Sequence, residues 1–178
     1  MAKFDPAELS PEQAWQKAKE VCFDLLAARP RTQEELRQAL RRKGFDAELG
    51  ETLLGRLDQA KLVDDAAFAE QWVRSRHAYQ GLARSALVAE LKRKGVDTEV
   101  AARAAGEIDR ESEEERAREL VRKRLRSMSG LDEQTATRRL LGTLARKGYS
   151  QGMAYAVVRE ELRNAGAATT LLDDVGAD

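Results

Sequence analysis

LRQALRRKGFDAELGETL, residues 36–53, places leucines at 36 and 40, a glycine at 44, and leucines again at 49 and 53. The same register recurs around Gly95, with Leu87, Leu91, Val100 and Ala104, and around Gly148, with Leu140, Leu144, Met153 and Val157. The three glycines stand 51 and 53 residues apart. Four-residue spacing on either side of the glycine lines up apolar residues on one helix face, so the pattern reads as helix, turn, helix, three times over. The step that joins them is RRKG at 41–44, KRKG at 92–95 and ARKG at 145–148. Glycine suits the left-handed position that ends a helix, and the lysine before it favours the negative end of the helix dipole. Asp46, Asp97 and Ser150 are N-cap residues for the helix that follows. A phosphate-binding loop would need the order G-x-x-x-x-G-K-[ST], which occurs nowhere in the chain.

Each repeat has a further helix in front of this pair. Ser10-Pro11 opens the first, whose stripe runs through Ala14, Ala18, Val21, Cys22, Leu25 and Leu26. Asp64 or Asp65 opens the second, with Phe68, Trp72 and Val73 inward, and the third passes through Ala117, Leu120, Val121, Leu125 and Met128. The expected fold is all-α: three tandem three-helix repeats at 11–61, 64–109 and 111–164, stacked into an elongated, curved body. A short extension at 1–10 precedes them, and the tail at 165–178 is expected to fray. Composition agrees, because alanine and leucine dominate, isoleucine occurs once, and proline is confined to positions 6, 11 and 30.

Several function classes drop out. The 31 basic and 31 acidic side chains cancel, which argues against a salt-driven nucleic-acid binder. Locally, 116–147 holds ten basic residues against Glu119, Asp132 and Glu133, but a charge run on helices is commonly a solvated face. No apolar run approaches a membrane span and MAKFDPAELS lacks a signal core, so a cytoplasmic protein is expected. His77 is the only histidine and Cys22 the only cysteine, which removes histidine-pair metal sites and an internal disulfide and leaves no hydrolytic triad. No enzyme, metal or cofactor is expected. Trp15, Phe68, Trp72 and Tyr155 read as packing residues.

Angular position separates the repeated bases. With Leu40 at zero, Arg42 falls at about 200°, opposite the apolar stripe, and Lys43 at about −60°, on its flank. Arg93 and Lys94, and Arg146 and Lys147, repeat that arrangement. The lysines can lay their stems along the core and read as structural. The arginines point outward once per repeat. That suits a repeating ligand, and it equally suits a solvated helix face.

KLVDDAAFAEQWVRSR at 61–76, Gly81, and ALVAELKRKGVD at 86–97 together resemble the RecX family of recombinase regulators. The resemblance lies in a Leu-hydrophobic-Asp-Asp step, a Phe-Ala pair, an Arg-x-Arg and a Leu-x-x-Lys-Gly unit. LLAARPRTQEELRQALRRKGF at 25–45 looks like the family's first repeat, and the likeness extends over 11–164, with Ala145 in the third repeat where the others carry Arg41 and Lys92. The resemblance implies a non-enzymatic protein that binds the RecA recombinase and its single-stranded DNA filament. It would damp ATP hydrolysis, strand exchange and the co-protease role in the DNA-damage response. The candidate filament-binding residues are then Arg42, Arg93 and Arg146, the flanking Lys43, Lys94 and Lys147, and Arg74 and Arg76 of the Arg-x-Arg. A monomer with at most weak DNA contact is expected. Two alternatives stand beside this reading. One is a helix-turn-helix DNA reader, although its recognition helix at 46–57 carries only Arg56 as a base beside Asp46, Glu48 and Glu51. The other is a non-catalytic helical adaptor.

Overall fold

Helix α1 (Pro11–Ala28) begins where Ser10 accepts a bond from the Gln13 backbone and the Gln13 side chain returns one to the Ser10 backbone. It stops at Ala28 because Arg29 precedes a proline and lies in extended backbone. Eight further helices follow: α2 (Gln33–Arg42), α3 (Ala47–Gln59), α4 (Asp65–Gln80), α5 (Arg84–Arg93), α6 (Thr98–Gly106), α7 (Arg110–Leu125), α8 (Glu133–Arg146) and α9 (Gln151–Val175). The computed structural model describes residues 5–175, with side chains described to 166, and among these there is no strand. The fold is all-α. Asp64 resolves the choice at the start of α4, since its carboxylate accepts from the Ala67 N–H at 3.0 Å.

The three glycines behave as their register predicts. Gly44, Gly95 and Gly148 have φ of 84°, 81° and 87°, the left-handed region. The next N–H in each case reaches back to the helix: Phe45 to the Leu40 carbonyl, Val96 to Leu91 and Tyr149 to Leu144, at 3.0–3.1 Å. These bonds close orphan carbonyls of α2, α5 and α8. The residue after the glycine is buried every time, Phe45, Val96 and Tyr149, and so it turns the chain back onto the core. Asp46 and Asp97 then cap α3 and α6 through their carboxylates, and Ser150 caps α9 by accepting from Met153 N–H at 3.2 Å.

The chain forms two compact units, one from residues up to 73 with 88–104, the other from 74–87 with 105 onward. In the first, α1, α2 and α3 pack around Ala18, Cys22, Leu36, Leu40, Leu53, Leu54 and Leu57. In the second, α7, α8 and α9 pack around Ala117, Val121, Leu140, Leu144, Val157 and Val158. The middle repeat lends residues of α4 and α5 to both. Helix α9 runs to Val175, and Ala165, Ala167, Ala168, Leu171 and Leu172 favour helix. Residues 176–178 of the expected tail lie outside the described residues.

Candidate functional site

The second and third basic-Lys-Gly steps, at 92–95 and 145–148, are joints between repeats. Within the first unit, the Thr32 hydroxyl, which caps α2, donates to the Lys94 carbonyl at 2.7 Å. Within the second, the Ala83 N–H, at the matching place before α5, donates to the Lys147 carbonyl at 2.9 Å, and the Ser85 hydroxyl donates to the Gly148 carbonyl. The following repeat also supplies an acid to each helix start. Asp65 accepts from the Gln33 N–H at 2.9 Å, and Glu113 accepts from the Arg84 N–H at 2.8 Å. A helix start has free N–H groups and a positive dipole end, so a carboxylate and a carbonyl are suitable partners. At Gly44 a Cβ would meet only Pro6.

This arrangement divides the candidate residues. Lys94 is committed internally: its ammonium lies 3.1 Å from a Glu35 carboxylate oxygen, 4.4 Å from the Trp72 ring centre and 5.8 Å from that of Phe68. Phe68 and Trp72 stack at 5.7 Å, so the cation closes an aromatic pair. Arg29 grips Glu35 with two nitrogens at 3.1 and 3.2 Å. Burial pushes the Glu35 carboxyl up, but the bonds from Arg29, Lys94 and the Thr32 backbone outweigh it and hold it down at about 2. Lys147 is likewise engaged, donating to the Gln80 carbonyl at 2.6 Å. Arg76 is half-buried, whereas Arg74 and Lys43 are exposed. Arg42, Arg93 and Arg146 are all exposed in the last turns of their helices, as the angular reading predicts. Arg42 and Arg93 meet no carboxylate among the described residues, and Arg146 touches only the Thr143 hydroxyl, at 3.4 Å.

Thr32, Glu35, Asp65 and Glu113 are the joint residues that sequence reasoning missed. T-x-x-E at 32–35 is a capping-box signature and could have flagged two of them; nothing local marks Asp65 or Glu113 as partners of a helix 29 to 32 residues away. Tyr155, expected to pack, is instead 58% exposed, because it lies on the outer face of α9. Burial pushes the Cys22 thiol up to about 11, and His77 Nδ1 sits 2.8 Å from the Leu82 carbonyl just past the end of α4. Among the described residues no group of three or more His, Cys, Asp or Glu could hold a metal, and no helix is long and apolar enough to cross a membrane. Arg56, the one base of α3, is held over the Trp15 ring at 4.8 Å.

Family models for the first, second and third three-helix domains of RecX match residues 18–57, 64–104 and 111–158. The chain belongs to the RecX family. It is 72% identical over 173 residues to the regulatory protein RecX of Amycolatopsis mediterranei (strain U-32), covering 97% of this chain and 99% of that one. It is 45% identical to the regulatory protein RecX of Streptomyces coelicolor over 93% of this chain and 88% of the relative. The crystal structure of RecX from Lactobacillus salivarius superposes with a TM-score of 0.75 at 20% identity, over 83% of this chain and 96% of that one. These likenesses assign a regulatory protein built from three RecX three-helix domains.

Proposed function

We propose that this RecX protein is a cytoplasmic, monomeric, non-catalytic negative regulator of the RecA recombinase. It binds RecA and the RecA–single-stranded DNA filament, and damps ATP hydrolysis, strand exchange and co-protease activity. The observation that carries the reading is the likeness, over nearly the whole chain and all three domains, to proteins named regulatory protein RecX. Arg42, Arg93 and Arg146 are the contacts we assign to the filament, with Arg74 and Lys43 beside them. Each is exposed, so each can meet a partner without unfolding anything. Lys94 and Lys147 serve the joints, which leaves the neighbouring arginines as the groups with charge to offer. Reading of DNA by α3 is disfavoured, since a helix with Glu48 and Glu51 and one arginine already stacked on Trp15 offers little to a major groove.

The test is RecA's ATPase on single-stranded DNA, titrated with this protein. The rate should fall progressively to a plateau. An unchanged rate at saturating protein, with the filament demonstrably intact, would remove the assignment.

A further inference from the structure

The ten bases of 116–147 do not form one solvated face; α7 sorts its own into two. Arg118 engages Glu114, Glu115 and Glu160, and Arg122 holds the buried Glu161 with two nitrogens at 2.9 Å each. Lys123, Arg124 and Arg126 meet no carboxylate among the described residues. With Arg146 of α8 and Tyr79 at the end of α4, they line a cleft of about 900 Å³ that lies wholly in the second unit.

Two of the lining cations are held by backbone groups, and one of these also by an acid. Arg116 donates to the His77 carbonyl at 3.2 Å and to the Ala78 carbonyl, and Lys147 donates to the Gln80 carbonyl. Those two cations bond carbonyls at the C-terminus of α4, of which the His77 carbonyl also accepts the Gly81 N–H. Glu119, the cleft's only acid, is paired with Arg116. The cations left without a carboxylate are Lys123, Arg124, Arg126, Arg146 and Lys147, the last tied to a backbone carbonyl, in a chain whose net charge is zero. Five cations without a carboxylate around one cleft repel each other, and a polyanion would relieve that. Tyr79 says which kind. It is 86% exposed, a large aromatic ring standing in water beside the cations.

We infer that this cleft binds single-stranded nucleic acid, with Lys123, Arg124, Arg126 and Arg146 taking phosphates and Tyr79 stacking a base. Cations that track a backbone and an aromatic ring that accepts any base are the two requirements for binding unpaired strands. A duplex hides the faces of its bases, and an acidic peptide would use the cations but leave the ring idle. The inference concerns the chain alone and stands or falls apart from the RecA reading.

Fluorescence anisotropy of a labelled oligo(dT) with the full chain, in the absence of any recombinase, tests it. Affinity should fall as salt rises. The triple variant Lys123→Glu, Arg124→Glu, Arg126→Glu should lose more than tenfold and flatten the salt slope by about 2, at ~0.7 per phosphate contact on a single strand. Its circular dichroism should match wild type, since no described contact of these side chains is removed. Tyr79→Ala should weaken binding about tenfold, within the range of one lost base stack, and Tyr79→Phe should restore it. Arg103→Glu, an exposed change in α6, should leave binding unchanged. The inference is overturned if oligo(dT) fails to bind at low salt, or if the triple variant binds like wild type. It is equally overturned if duplex binds as tightly and Tyr79→Ala is neutral, or if poly-glutamate competes with the same dependence on the variants.

Discussion

Replacing each repeat glycine by alanine should separate the cost of a left-handed turn from the cost of a joint. All three positions have φ above 80°, so an alanine at any of them is disfavoured by about 1–2 kcal/mol. At Gly44 that is the whole cost, because a Cβ would meet only Pro6 carbons at 3.6 and 3.7 Å. At Gly95 a Cβ would lie 2.2 Å from Glu34 Cβ and 2.5 Å from its Cγ. At Gly148 it would lie 2.6 Å from Ala86 Cβ and 2.8 Å from the Ala86 backbone nitrogen. A Cβ and a helix backbone atom cannot swing aside, so the joint itself must open, adding about 1–3 kcal/mol as other forced overpacking does. The expected loss is therefore ~1–2 kcal/mol for Gly44→Ala and ~2–5 kcal/mol for Gly95→Ala or Gly148→Ala. Urea unfolding followed by circular dichroism measures it as a shift in midpoint. Adding Glu34→Gly to Gly95→Ala removes both obstructing atoms, and should return the overpacking part while leaving the conformational part. Equal losses at all three glycines, or no coupling between positions 34 and 95, would refute the joint.

Two further expectations follow from the same contacts. The Glu35 carboxyl is held at about 2 in the folded chain against 4.5 for the free group, so its pairing stabilises the fold fully above about pH 4.5 and is lost as pH falls toward 2. Glu35→Gln should lower the urea midpoint at pH 7, and the gap to wild type should narrow across that acid window; a gap that stayed constant with pH would exclude the pairing as its source. Arg42→Glu, Arg93→Glu and Arg146→Glu together should leave helicity and melting close to wild type, exposed charges contributing ~0–1 kcal/mol each, yet sharply weaken binding to the RecA filament by charge reversal. Filament affinity equal to wild type would make those arginines a solvated face.

The helices, their caps and their threefold register were all legible in the order of residues. Leu36, Leu40, Gly44 and Asp46 act on neighbours within one or two turns, and short-range periodicity and capping are local physics. The outward direction of Arg42, Arg93 and Arg146 followed from the same helical geometry. What the Lys-Gly step is for was not legible, because Thr32 and Lys94 meet across 62 residues and no local rule names such a pair. The basic run of α7 shows the limit most clearly. Arg122 and Lys123 are adjacent and equally basic in the sequence, but only packing of α9 against α7 brings Glu161 to the first and leaves the second without a carboxylate. A helix direction is set by each residue's own backbone, whereas the partner a charge finds depends on which distant element the burial of apolar faces carries beside it.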